Sequence, residues 1–600
     1  MRIYEDLRLV QSRLALLQAL IVLLVVGLMV QFWNLQVVRA RHFRDQAENN
    51  RSRLVTLAAP RGALVDRNGK LLVGNRPSFS VLLVPEHAEN LDRVVERLAS
   101  ALGMGEASIR ERLARRQPYR PVVIKNDATL ADIAVLDARR RELPEVSVEV
   151  VPLRSYPLAN AAAHALGRVG EITERQLQLS EYKSLPPGAL VGQAGLESRY
   201  NRELMGKDGF RRVIVNSRGL EVQEAAREPP QDGPNLTLSI DASLQAAMEA
   251  AFEGRSGSAV ALDPETGEIL AMTSTPAYDP NQFTTGIEPA IWASLASDPD
   301  TPLINRVIQG SYAPGSTFKV IAATAALEEG LITPETTFYC PGQLNVYNTT
   351  FRCHPGGHGV VDLRRAIAIS CNVYFYQVGI RLEIARLAKW AKLMGLGAPT
   401  GVDLPAEASG LMPSAEWKLR VLKAPWYAGE TVSVAIGQGQ VSATPIQMAR
   451  VAAFVANGGR LVRPHFARQA RTPQLPPIVR PETIAAVKEG MRRVVAEGTG
   501  SRARLSEVEV CGKTGSAQVV GHARLEKSPS VHEMQPHGWF ICFAPADRPT
   551  IALAVLVEHG RSGGESAAPV ARRILAHYFG LERGLPTPAG GVVDTADAED

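Results

Sequence analysis

Residues 14–38 carry no charged side chain, and Ala19–Val30 is apolar throughout. A helix of about 20 such residues crosses the hydrocarbon core of a bilayer, because it satisfies its own backbone groups there. Trp33 suits the membrane interface. A cleaved signal peptide is the competing reading. The apolar run is long for one, and Asn34–Arg39 offers no small-residue cleavage site. The sequence therefore predicts a cytoplasmic tail at 1–13 and a retained transmembrane anchor at 14–38, with the rest of the chain on one side of the membrane. Arg2, Arg8 and Arg13 before the span face Arg39, Arg41 and Arg44 after it, so the positive-inside rule is nearly balanced.

The 600 residues exceed one ordinary core and predict two or more domains. The 66 basic and 61 acidic side chains are scattered, which gives no basis for nucleic-acid binding. Five cysteines are too few for a disulfide framework.

After the anchor, Pro60–Lys70 places apolar residues on both sides of Asn68-Gly69, a hairpin signal. Residues 87–115 read as helices, and 145–235 as short strands and turns. We expect an α+β spacer at 45–235. A second pattern begins at Leu236. Ser258–Asp263 and Glu268–Met272 flank a turn and predict a β-hairpin. Helices are expected near 317–329, 361–380, 384–394 and 444–457, and strands at Val508–Ala517, Trp539–Ala544 and Ile551–Val557. Helices between an early hairpin and late strands predict a helical cluster on one antiparallel sheet over 236–580. The remainder, 581–600, is acidic with Pro, Gly and Ala, and is expected to be disordered.

Three short motifs lie in the second half: Ser316-Thr-Phe-Lys319, Ser370-Cys-Asn372 and Lys513-Thr514-Gly515. Each alone is weak; Ser180-Glu-Tyr-Lys183 repeats the first and reads as a surface turn. Together, in this order, they resemble the penicillin-recognising serine acyl-transferases. The chemistry interlocks. Residues i and i+3 share a helix face, so Lys319 can reach the Ser316 hydroxyl. Serine needs a base, and lysine serves only when burial or a neighbouring cation such as Lys513 makes it neutral. Pro314-Gly315 sets Ser316 at a helix start, where N–H groups favour an oxyanion.

Longer stretches narrow the resemblance. Ser274-Thr-Pro-Ala-Tyr-Asp-Pro-Asn281, Tyr312–Lys319, Trp426-Tyr427, Ile436-Gly-Gln-Gly439, Ala443–Met448 and Lys513–Gln518 resemble the class B penicillin-binding proteins of rod-shape elongation. The resemblance runs over roughly residues 10–580. It implies an α+β pedestal (dimerisation-like) domain carrying a β-lactamase-like transpeptidase domain, held in the periplasm by a single pass through the inner membrane. It implies a serine-type D-Ala-D-Ala transpeptidase or carboxypeptidase acting on peptidoglycan stem peptides and acylated by β-lactams. Ser370 and Asn372 would relay protons and hold the substrate amide. Lys513, Thr514 and Ser516, with Gly515 between, would take the terminal carboxylate, and the Ser516 N–H would be the second oxyanion donor. Implied partners are a RodA-type glycosyltransferase and an MreC-type scaffold. No glycosyltransferase domain fits in the spacer.

Cys340, Cys353, His358 and Cys371 form a Cys3His set of the kind that holds structural zinc, although the spacing is not that of a regular finger. The resemblance implies Asp, Asp, His and Cys at these positions, with Cys340 and Cys353 standing where relatives carry Asp. The alternatives are a Cys340–Cys353 disulfide and a buried apolar Cys371. His354 is a substitute ligand for His358, and His532 and His537 read as loop residues.

Three other functions share these motifs. A β-lactamase would need a base for the hydrolytic water, which no motif supplies. A β-lactam sensor would need a cytoplasmic effector, and only about a dozen residues precede the span. A division transpeptidase would differ in where it acts, at the septum.

Overall fold

The computed structural model describes residues 2–41, 52–85, 88–114, 121–183, 185, 188–215, 221–353, 356–468, 475–518 and 535–581. His354, His532 and all but the first residue of the expected acidic tail lie outside them. A helix over Arg2–Trp33 continues as a π-turn over Asn34–Val38. Val10–Val38 is the one segment among the described residues long and apolar enough to cross a membrane. Its large apolar side chains are exposed, as a lipid-facing helix requires and a core helix does not.

Contacts divide the chain into two compact units. The first comprises Met1–Pro60, Pro77–Pro152 and Gly206–Asp232. It holds an antiparallel sheet of Ser52–Leu57, Gly209–Val215 and Glu221–Glu228. A separate layer packs the predicted helices, Leu91–Leu102 and Glu106–Ala114, on Val81, Leu83 and Ile124. Asn90 accepts the Arg93 N–H at the first helix's start, and Gly103 closes its end in the left-handed region.

The second unit comprises Arg61–Arg76, Leu153–Met205 and Gly233–Asp600, so parts of the 45–235 span cluster with the catalytic motifs. The Asn-Gly hairpin forms as expected. Leu64 pairs with Val73, and Asp66 Oδ1 accepts the N–H groups of Asn68 (2.8 Å) and Lys70 (2.7 Å). Beside it, the fully buried Glu197 carboxylate takes Arg154 at 2.6 Å and Arg61 at 2.8 Å. Ser180–Lys183 is a turn with Ser180 and Lys183 exposed.

The main sheet has five strands: β1 (Gly257–Leu262), β2 (Ile269–Thr275), β3 (Cys511–Ala517), β4 (His537–Ala544) and β5 (Ile551–Val557). Their order is β2-β1-β5-β4-β3, antiparallel throughout. Both faces are buried, so β1, β5 and most of β2 and β4 read as apolar runs and their period of two is hidden, whereas β3 carries the polar Lys513-Thr-Gly-Ser516. Val260, Ile541, Phe543 and Leu556 face the helical cluster; Ala259, Phe540, Leu553 and Val555 face the other core. The cluster contains α1 (Lys319–Glu328), α2 (Asn372–Leu393), α3 (Pro445–Ala456) and α4 (Pro481–Ala496). Ala242–Ala250 and α5 (Ala567–Tyr578) cover the opposite face.

One helix boundary differs from expectation. The stretch expected as one helix over 361–380 is a short helix, Leu363–Ala368, and then α2, broken at Ser370, whose φ is +57°. The expected helix at 384–394 is present: non-helical Glu383 (φ 58°) separates it from the preceding helical stretch within Asn372–Leu393. Apolar periodicity continued across the first break and concealed it, because buried residues lie on both sides.

The buried ion triad makes a test of this unit. Glu197→Ala leaves two arginines facing an empty anion site. It should lower unfolding stability by about 3–5 kcal/mol, read as a shift in denaturant midpoint. A shift under about 1 kcal/mol would mean water already screens the pair.

Candidate active site

The nucleophile candidate sits on a turn built by two glycines. Gly315–Phe318 is a 3-10 turn that leads into α1. Gly315 has φ +54° and donates its N–H to Gly437 O (2.9 Å). Gly437 has φ +72°, and a side chain on it would meet Gly315 O at 2.1 Å. A side chain on Gly315 would in turn meet Ser516 O at 2.6 Å. Only glycine permits both the positive φ and the close approach. The Ser316 turn is thereby wedged between the 436–439 loop and β3, the edge strand of the sheet. Gln438 Nε2 donates to Ser516 O (3.0 Å) and ties the loop to that strand.

Beneath Ser316 lie two lysines with no solvent exposure. Lys319 Nζ donates to Asn372 Oδ1 (2.6 Å), Ser370 O (2.8 Å) and Ser370 Oγ (3.1 Å). Lys513 Nζ donates to Ser370 Oγ (3.0 Å) and Thr514 O (2.9 Å). The expected Lys319–Ser316 hydrogen bond is not among these. The 3-10 turn still puts the two residues on one side, but the ammonium is drawn to three acceptors on the 370–372 segment. Burial pushes Lys319 down to about 8, against the opposing pull of the Cys371 and Cys353 thiols. Burial, and then the charge on Lys319, hold Lys513 well below the usual lysine range. The neighbour effect expected from Lys513 on Lys319 is thus strongest in the reverse direction.

A cleft of about 540 Å³ opens above the lysines. Ser316, Ser370, Asn372, Thr514, Gly515 and Ser516 all line it. The structure therefore gathers every catalytic and binding residue expected from the motifs, six on the wall and two below. It also brings in residues the motifs missed. Thr499 and Arg502 enter from the loop after α4, and the Thr499 and Thr514 hydroxyls are 2.6 Å apart. Ser562–Glu565 close the far wall. His537, expected in a loop, is the first residue of β4, and its Nδ1 accepts the His559 N–H (3.0 Å).

The Cys340, Cys353, His358 and Cys371 side chains also converge. Their ligand atoms lie within 4.8 Å of one another. His358 Nδ1 is 3.5 Å from Cys340 Sγ and 3.6 Å from Cys353 Sγ. A tetrahedral zinc with ligands at about 2.0–2.3 Å would set such edges at roughly 3.5–3.8 Å, so the donor set fits that ion. None of the five cysteines is in a disulfide, so Cys340 and Cys353 are not bridged. The Asn372 N–H donates to Cys353 Sγ (3.2 Å), so the cluster touches the same residue that holds Lys319.

An antiparallel sheet flanked by helices, with a serine on a wedged turn over two buried lysines, defines a penicillin-recognising serine acyl-transferase. Family models agree: the penicillin binding protein transpeptidase domain matches residues 257–576, and the penicillin-binding protein dimerisation domain matches 56–238. The peptidoglycan D,D-transpeptidase MrdA of Acinetobacter baumannii is 35% identical, over 96% of this chain and 89% of that protein. The Helicobacter pylori penicillin-binding protein PBP2, solved in complex with MreC, is 30% identical with a TM-score of 0.79, covering 88% of this chain and 99% of that one. A chain from a study of the structural coordination of polymerization and crosslinking by a peptidoglycan synthase complex is 32% identical with a TM-score of 0.71, covering 96% and 100%. The chain belongs to the MrdA family of peptidoglycan D,D-transpeptidases, the PBP2 branch of the penicillin-binding proteins.

If Lys319 is the base for Ser316, its neutral fraction sets the acylation rate. The rate should rise as pH increases through about 8 and level off above. A stopped-flow acylation profile that stays flat from about pH 6.5 to about pH 9.5 would remove Lys319 from that role.

Proposed function

We propose that this chain is a membrane-anchored transpeptidase that cross-links peptidoglycan stem peptides during elongation through a Ser316 acyl-enzyme. The observation that carries the reading is the shared hydrogen-bonding of Lys319 and Lys513 to Ser370 Oγ, on a residue that lines the same cleft as Ser316. Neutral Lys319 takes the Ser316 proton as Oγ attacks the penultimate D-alanyl carbonyl. The amide C–N bond breaks, and the leaving D-alanine amine takes a proton relayed through Ser370 between the two lysines. Asn372 orients the substrate amide. The Ser316 and Ser516 N–H groups hold the oxyanion. An acceptor amine from a second stem peptide then attacks the ester, forms the cross-link and returns the proton to Ser316. A β-lactam enters the same path, but its leaving nitrogen stays tethered and blocks the second step.

The anchor at 14–38 would follow a cytoplasmic tail at 1–13. The pedestal domain at 45–235 and the transpeptidase domain at 236–580 would lie in the periplasm. The matched ranges 56–238 and 257–576 support this division. The relatives solved with MreC and in a peptidoglycan synthase complex support an MreC-type scaffold and a RodA-type glycosyltransferase as partners.

We also propose one structural zinc on Cys340, Cys353, His358 and Cys371. Zinc there would draw the thiolates together without taking part in the reaction. Cys353 and Cys371 would then fix the Ser370–Asn372 segment against Lys319.

Intact mass after brief incubation with a penicillin tests the enzyme reading. The wild type should gain one stable adduct, and Ser316→Ala should gain none. No adduct on folded wild type would reject the reading, and an adduct lost within seconds would mark a β-lactamase. For the metal, elemental analysis of protein purified under reducing conditions should return one zinc per chain. Removing it by chelation should slow acylation. Metal-free protein as purified, or removal that leaves the rate unchanged, would reject the zinc.

A further inference from the structure

The donor peptide ends in a carboxylate, and the cleft must hold that charge away from bulk water. Hydroxyls alone serve poorly: a carboxylate drawn out of water needs a charge-assisted partner. Lys513, expected from the motifs to be that partner, is committed elsewhere. It has no solvent exposure, it does not line the cleft, and its Nζ already donates to Ser370 Oγ and Thr514 O. Its depressed basicity points the same way.

Among the described residues lining the cleft, Arg502 is the one side chain that carries a positive charge at any working pH. Its guanidinium has no hydrogen bond or ion pair among the described residues. Glu565, the carboxylate that also lines the cleft, does not pair with it. Five N–H donors in a planar fork are therefore left for a ligand, in the geometry that matches a carboxylate bidentately. The backbone beneath is fixed. Gly500 N–H donates to Val494 O (2.9 Å), Ala503 N–H to Gly500 O (2.9 Å), and Ala503 is fully buried in the core behind the sheet. Thr499 links the loop to β3 through the 2.6 Å contact with Thr514. When Thr499 is the donor in that contact, the Thr514 proton is free to point into the cleft.

We propose that Arg502 is the charged half of the subsite for the donor's terminal carboxylate, and for the equivalent carboxylate of a β-lactam, with Thr514 and Ser516 as the neutral half. The assignment rests on the acyl-transferase reading above. Thr499 is a positioning residue that orients Thr514. The subsite recognises the free end of a stem peptide: an internal D-Ala-D-Ala pair, or one with an amidated end, lacks the charge that Arg502 reads.

The test compares acylation of full-length protein by benzylpenicillin and by its methyl ester, in which the carboxylate is masked. Second-order rates are read by intact mass at Ser316 for wild type, Arg502→Ala and Arg502→Lys. In wild type the acid should be preferred. Arg502→Ala should lower the acid-to-ester rate ratio on the order of tenfold to a hundredfold, and Arg502→Lys should fall between. The wild-type rate with the acid should also drop with added salt, and that slope should flatten in Arg502→Ala. A ratio that stays at the wild-type value, or equal losses with acid and ester, would overturn the assignment while leaving Ser316 as nucleophile. No adduct on wild type with either compound would overturn the acyl-transferase reading, and this assignment with it.

Discussion

The active site depends on placing two lysines in a dry interior and giving both the same serine oxygen. Ser370 Oγ lies 3.1 Å from Lys319 Nζ and 3.0 Å from Lys513 Nζ. Two full charges so close in a buried site would repel strongly, so the pair is driven to share fewer than two protons. Burial is what lets Lys319 act as a base near neutral pH, and the charge on Lys319 adds to burial in lowering Lys513. It is tolerated because the acceptors around it are complete: Asn372 Oδ1, Ser370 O and Thr514 O take the remaining N–H groups. Ser370 itself is held at φ +57°, a conformation that costs a non-glycine residue about 1–2 kcal/mol. The helical cluster and sheet supply the packing that offsets this cost.

The rest of the architecture serves to bring four distant segments to that oxygen. The Ser316 turn arrives from the start of α1, Ser370 from the break before α2, Lys513 from β3, and the Gly437 loop from the residues preceding α3. The glycines at 315 and 437 set how closely these approach, since a single methyl group at either would collide with backbone oxygen. The buried α3, apolar except for Gln447 and Arg450, packs within the cluster and lines no part of the cleft.

The cysteine–histidine cluster stands one hydrogen bond from the base. Cys353 Sγ accepts the Asn372 N–H, and Asn372 Oδ1 accepts from Lys319. Cys371 lies between Ser370 and Asn372 in the chain, so whatever fixes its sulfur fixes both neighbours. A metal held there, as proposed, would stiffen the 370–372 segment, which is how outer partners commonly tune a site.

Much of this was legible in the sequence. The anchor followed from uninterrupted apolar length, and the Asn-Gly hairpin from turn chemistry at Asp66–Lys70. The candidate catalytic residues came from three ordered motifs, because covalent chemistry demands particular side chains at short spacings. The break at Ser370 was not legible, since apolar periodicity runs across it and only tertiary contacts force the left-handed backbone. Nor was the direction of the Lys319–Lys513 effect, which depends on burial and on which acceptors each ammonium finds. Thr499 and Arg502 carried no motif at all; only folding brings the loop after α4 beside β3. Sequence alone determined the membrane helix and the chemical parts of the active site, because both depend on local length and residue type. Which groups share a proton, which lysine is left without a free face, and which arginine lines the cleft were decided by the tertiary structure, because those depend on distances between segments far apart in the chain.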